Sequence, residues 1–122
     1  MLFDTRYFWT LFTERDRSVL RRLRKIFEAS RKPMVSPITV YEIHKLSLEK
    51  EGNTVAELRT ATIKKEFTVA DLSSEIAEEG ARIGHRLRVP MADALIMATA
   101  KELGVACVTD DPHFTEVKKI WV

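Results

Sequence analysis

Four carboxylates in this sequence stand where a polypeptide can gather them: Asp4, Glu42, Asp93 and Asp111 each close a strand-like run or lie near the start of a helix-like one. Asp93 is the most isolated, as the only charged residue between Arg88 and Lys101, among Met91, Ala92, Ala94, Leu95, Ile96, Met97, Ala98, Thr99 and Ala100. A carboxylate among apolar neighbours is costly unless something compensates it. One compensation is local: Asp93 falls in the first turn after Pro90, where the helix dipole favours an anion by about 0.3 to 1 kcal/mol. The other three have local explanations too. Asp4 can cap the helix that follows Leu2 and Phe3, Asp111 precedes Pro112 in the arrangement of a helix cap, and Glu42 can pair with Lys45 on a helix surface.

Together the four suggest chemistry that none implies singly. In an open parallel sheet, strand ends and helix starts converge on one rim, and carboxylates crowded there raise one another's pKa until a cation neutralises them. Oxygen ligands with open positions suit magnesium or manganese, ions that keep water and accept phosphate oxygens. Such a centre activates a water as nucleophile and stabilises charge on a phosphodiester under attack.

The elements that must position these residues are readable from periodicity. Leu2 and Phe3 form a short strand, and Tyr7 to Thr13 and Ser18 to Ala29 carry helical spacing, with Val19, Leu20, Leu23, Ile26 and Phe27 as the apolar stripe. Pro33 closes that segment and Met34-Val35 is a brief strand. Ser36-Pro37 opens a helix to about Lys50, with proline at the first helical position, and Gly52-Asn53 breaks the chain. Thr54 to Lys65 reads as another helix, Phe67 to Val69 as a strand, and Asp71 as the cap of a helix reaching Leu87. Met91 to Leu103 is a buried helix stopped by Gly104. Val105 to Val108 is strand-like, Asp111-Pro112 a turn or short helix start, and Ile120 to Val122 a final edge strand. Strands alternating with helices imply an α/β fold with a parallel sheet.

Length and composition permit this reading. The chain has 122 residues, enough for a single domain spanning 1–122 and little more. Hydrophobic residues at 45% and charged residues at 31% are globular values that exclude a disordered or fibrous chain. The apolar stretches fall short of a bilayer span and no leader-like segment opens the chain, so a soluble, cytoplasmic protein with no membrane partner is expected. A net charge of +2 and a pI near 8.8 permit nucleic-acid binding without announcing it. The basic residues cluster locally: Arg21, Arg22, Arg24 and Lys25, with Arg31 and Lys32, form one group, and Arg82, Arg86 and Arg88 another. Each is either a solvated face or a phosphate contact.

Other chemistries find less support. Cys107 stands alone in an apolar run and reads as a buried thiol. His44, His85 and His113 lack the spacing of a zinc pair, although His113 lies close to Asp111. The glycines form no phosphate loop, and no serine sits in a nucleophile elbow. Tyr7, Phe8, Trp9 and Phe12 form an early aromatic cluster, fit for a core or a dimer interface.

The ordered motifs Asp4-Thr5, then Ser36-x-x-Thr39-x-x-Glu42, then Ala92-Asp93-Ala94-Leu95-Ile96 with Ala98 and Ala100, then Val108-Thr109-x-Asp111-x-x-Phe114 resemble those of the PIN-domain family. Within it the resemblance is nearest to the prokaryotic toxin ribonucleases called VapC. It runs from Asp4 to about Phe114, and Gly52 to Val69 carries no counterpart. The resemblance implies a three-layer α/β/α domain with a short central parallel sheet. It implies cleavage of single-stranded RNA with Mg2+ or Mn2+, and a growth-inhibiting toxin silenced by a cognate antitoxin protein. Asp4, Glu42, Asp93 and Asp111 would be the metal-binding and catalytic acids, Thr109 the supporting hydroxyl and Asp110 an auxiliary ligand or a bystander. Two alternatives within the family are a nuclease of RNA maturation or quality control and a catalytically silent module binding RNA or protein. A homodimer is also expected, because the N-terminal aromatic and apolar residues exceed what a small core easily hides.

Overall fold

The structure, a computed structural model, describes residues 1–122. In chain order its elements are β1 (Leu2–Phe3), α1 (Thr5–Thr13), α2 (Arg17–Ala29), β2 (Met34–Val35), α3 (Pro37–Glu51), α4 (Asn53–Glu66), β3 (Thr68–Val69), α5 (Ser74–Leu87), α6 (Met91–Leu103), β4 (Cys107–Val108) and β5 (Lys119–Ile120). All strand pairs are parallel, in the order β3-β2-β1-β4-β5. Each strand is only two residues long. The expected α/β/α fold with a short parallel sheet is the fold observed.

Strand pleating divides the core. The first residues of the central strands, Leu2, Met34 and Cys107, join Ile76 and Ile83 of α5 and Ala94, Ile96, Met97, Ala98 and Ala100 of α6. The second residues, Phe3, Val35 and Val108, join Tyr7 and Phe8 of α1, Leu23 of α2, Ile43 of α3 and Ile63 of α4 on the other face. Two residues per strand suffice because successive side chains point to opposite faces, so β1, β2 and β4 each feed both layers. No helix is long and apolar enough to cross a membrane.

Several local expectations need correction. The cap of α5 is Ser73, whose hydroxyl accepts from the Ile76 N–H at 3.2 Å, and Asp71 is exposed. Asp111-Pro112 makes a turn and starts no helix, although the Asp111 carboxylate takes the His113 N–H at 2.8 Å as a cap would. Gly52 is a one-residue break: its φ of 90° lets α3 end and α4 begin at the next residue. The last strand is Lys119–Ile120, two residues nearer the centre of the chain than Val122. The early aromatics turn inward. Tyr7 and Phe8 are buried, and Phe3, Tyr7, Phe8 and Phe67 pack edge to face with centroids 4.7 to 5.3 Å apart. The surplus of apolar surface from which a homodimer was expected is thus absorbed largely by the core.

Candidate active site

Neighbouring strands β1 and β4 lead in opposite directions across the sheet, to β2 and β3 on one side and β5 on the other. This is the topological switch point, beyond whose carboxyl ends an open parallel sheet forms its crevice. Asp4 directly follows β1, and Thr109, Asp110 and Asp111 directly follow β4. The Asp4 N–H donates to the Val108 carbonyl at 3.1 Å, tying the two strand ends together.

Asp4 is 2% exposed. The Thr109 hydroxyl donates to its Oδ2 at 2.8 Å, and the Arg6 N–H reaches the same oxygen at 3.5 Å, a long cap for α1. Burial pushes the Asp4 carboxyl up to about 6, against the pull of these donors, and the nearby charge of Asp93 adds to the rise. Thr109 has a second duty, accepting the Asp111 N–H at 3.1 Å. One hydroxyl therefore orients both Asp4 and the turn that carries Asp111.

Asp93 enters from the first turn of α6, where no side chain caps the helix. Its Oδ2 lies 3.3 Å from His113 Nδ1, which is 2.8 Å from Asp111 Oδ1. The ligand atoms of Asp93, Asp111 and His113 all lie within 4.8 Å of one another. Burial raises the Asp93 carboxyl to about 6, with the charges of Asp111 and Glu42 raising it further and His113 opposing them. Glu42 stands apart from that trio. Its Oε1 accepts the Thr5 hydroxyl at 2.6 Å, and Thr39 Oγ1 is 3.3 Å from the same hydroxyl, so the partner is Thr5 where Lys45 was expected. Asp110 is turned outward: Arg6 Nε and Nη2 hold its carboxylate at 2.8 and 3.2 Å and keep its pKa below the ordinary value.

His113 and Thr5 are the members that sequence reasoning underrated. His113 had only its nearness to Asp111 to recommend it, and Thr5 only its place beside Asp4. The donor chemistry of the pocket fits a hard divalent cation: two carboxylates with raised pKa, a third within ligand distance of one of them, and an imidazole that manganese tolerates better than magnesium.

Solved structures share this fold across nearly the whole chain. A toxin-antitoxin complex from Klebsiella pneumoniae superposes with a TM-score of 0.77 at 24% identity, covering 98% of this chain and 94% of that one. VapC20 of Mycobacterium tuberculosis, a sarcin-ricin loop cleaving toxin, matches with a TM-score of 0.77 at 17% identity, covering 96% and 98%. A DNA-bound VapBC from Salmonella typhimurium matches with a TM-score of 0.75 at 18% identity, covering 98% and 96%. No curated protein matches in sequence. The PIN-domain family model, however, matches residues 1–120, from β1 through β5, and the chain belongs to the PIN-domain family.

Proposed function

We propose that this chain is a metal-dependent endoribonuclease that hydrolyses phosphodiesters of single-stranded RNA, and that it is the toxin of a toxin-antitoxin pair. The observation that carries the proposal is the approach of Asp93, Asp111 and His113 to within 4.8 Å, beside the buried Asp4 at the switch point of the sheet. Carboxylates forced to such proximity are unfavourable in the free protein and favourable around a cation. Asp4, Glu42, Asp93 and Asp111 would hold Mg2+ or Mn2+, which when bound activates a water and offsets charge on the phosphate. Thr109 orients Asp4, and Asp110 serves by holding Arg6 at the rim. The toxin role is supported by the structural neighbours, among them toxin-antitoxin complexes and a toxin named for cleaving a sarcin-ricin loop. An antitoxin protein is the corresponding partner. A homodimer is proposed on Tyr41, Leu58 and Met91, the most exposed of the large apolar side chains at the surface.

The test is cleavage of labelled single-stranded RNA with manganese, by the wild type and by Asp93→Asn. That substitution keeps shape and a metal-facing oxygen but removes the charge. Cleavage should be lost in the variant and in excess EDTA, while the metal-free variant unfolds at the same temperature or higher, freed of carboxylate repulsion. If Asp93 serves only the helix dipole, the variant should cleave normally and lose about 0.3 to 1 kcal/mol of stability. Wild-type cleavage in excess EDTA would sink the mechanism outright.

A further inference from the structure

The four acids that the family resemblance implies all bind through oxygen. The group of ligand-type side chains that closes to within 4.8 Å nevertheless contains a nitrogen, because it consists of Asp93, Asp111 and His113. The turn that presents His113 is pinned on both sides. Thr109 is buried and its hydroxyl accepts the Asp111 N–H at 3.1 Å, while Phe114 is wholly buried and its N–H donates to the Asp111 carbonyl at 3.2 Å. Between them Pro112 restricts the backbone further. The imidazole is therefore carried by a fixed turn while half of its own surface stays open.

Asp111 does not need the ring as a donor, since the His113 backbone N–H already reaches its Oδ1 at 2.8 Å. Yet His113 Nδ1 lies 2.8 Å from Asp111 Oδ1 and 3.3 Å from Asp93 Oδ2, so carboxylates from two different elements converge on one ring nitrogen. That nitrogen carries at most one proton to share between them. His44 shows the ordinary structural alternative, with its Nδ1 2.7 Å from the Thr60 hydroxyl between α3 and α4. Ligands at right angles about an ion with bonds of about 2.1 Å stand about 3 Å apart, close to both spacings around Nδ1. The competing account makes the ring a resident cation that balances the carboxylates by itself. It is less favoured because an imidazolium brings one positive charge, whereas Asp93 feels the charges of both Asp111 and Glu42 and acts in turn on Asp4.

Resting on the metal-dependent reading above, we infer that His113 Nδ1 is a direct ligand of the cation held by Asp93 and Asp111, and that it makes the centre select Mn2+ over Mg2+. Magnesium binds through oxygen and gives up its waters reluctantly, whereas imidazole is a ligand of transition cations. Exchanging one oxygen position for this nitrogen thus favours manganese without changing the net charge of the carboxylates.

The test is metal binding to the full chain at fixed neutral pH, by titration calorimetry with Mn2+ and with Mg2+ and by pulsed electron paramagnetic resonance of the manganese-loaded protein. His113→Asn puts an amide oxygen at the same number of bonds from the backbone as Nδ1, and His113→Ala removes the donor. The wild type should show the nitrogen hyperfine coupling of a bound imidazole, and both variants should lose it. Manganese affinity should fall at least about tenfold in His113→Ala, since even partners of ligands are worth about 10- to 100-fold. His113→Asn should recover part of that affinity, and the preference for manganese over magnesium should shrink in both variants. Thermal unfolding without metal should leave both close to the wild type; if His113→Ala fails to fold, His113→Asn and the wild-type spectrum decide. Manganese bound by the wild type without nitrogen coupling, and with the same preference in the variants, would overturn the inference. So would tighter binding of both ions by His113→Ala, which would make the ring a resident cation. In either case manganese binding that Asp93→Asn abolishes would leave the metal-dependent reading standing. Conversely, a wild type that shows the coupling yet never cleaves RNA would defeat the nuclease reading and leave the ligand in place.

Discussion

At the scale of single residues, Asp4 and Thr109 show how a buried charge is kept. The Thr109 hydroxyl is the one side-chain donor to a carboxylate that is 2% exposed. Thr109→Val keeps the volume and removes the donor, and should cost about 1 to 3 kcal/mol near neutral pH, the usual penalty for a buried polar group left short of a partner. Because Asp4 titrates at about 6, the loss should shrink in more acid solution, where the carboxyl protonates; thermal unfolding at two pH values measures it. A related outcome concerns the metal-free wild type. Asp4 and Asp93 hold protons in the folded chain up to about 6, against 3.8 for an ordinary carboxylate. The folded state therefore binds more protons than the unfolded state in that interval, and this contribution to stability is greatest in acid and declines as the pH climbs from about 4 to about 7. Calorimetry should show that decline, reversed near neutrality by manganese; a contribution that rises with pH would mean that burial does not raise these carboxyls. Asp93 was legible in the sequence because its neighbours are apolar. The Thr5 link to Glu42 was not, since it joins residues 37 apart and only the folded chain brings them together.

At the scale of elements, what was legible followed from periodicity, and what was missed followed from competition between nearby caps. Asp71 and Ser73 are both good capping types two positions apart, and the choice between them depends on where Ala70 is anchored: its N–H donates to the Val35 carbonyl at 2.8 Å, carrying the chain beyond β3 before α5 can start. Ser73→Ala should cost about 0.5 to 2 kcal/mol, and Asp71→Ala close to nothing. The reverse order in denaturant titration would place the cap where the sequence suggested. The other end of α5 carries a cost of its own. Arg88 is the only residue other than glycine with positive φ, at 53°, a conformation that disfavours side chains by about 1 to 2 kcal/mol. Arg88→Gly should raise the unfolding temperature, and a decrease would show that the arginine has contacts that offset its backbone. The two-residue strands were harder to bound, because Val105 to Val108 and Ile120 to Val122 have strand composition throughout while only their paired portions count as sheet.

At the scale of the whole molecule, each half of the core takes alternate residues of the same strands, so the layers share a sheet thinner than either helical shell. The expected dimer belongs to this scale as well: light scattering at micromolar concentration should give twice the mass of 14.0 kDa, and a single-chain mass would confine Tyr41, Leu58 and Met91 to other roles. The sequence could suggest a parallel sheet but not that β1 lies at its centre, because strand order depends on which crossovers the helices make and not on composition. That central position also governs synthesis. Within the domain Leu2 and Phe3 are made before every other element, yet one of their two neighbouring strands is Cys107–Val108, and Asp4 waits 105 positions for the hydroxyl that orients it. Long-range pairing of this kind closes late. A nascent chain can assemble α3 against α4 while translation proceeds, but the acidic pocket forms only after Thr109, Asp111 and His113 have emerged, so a product stalled before β4 carries Asp4 and Glu42 without the residues that gather beside them.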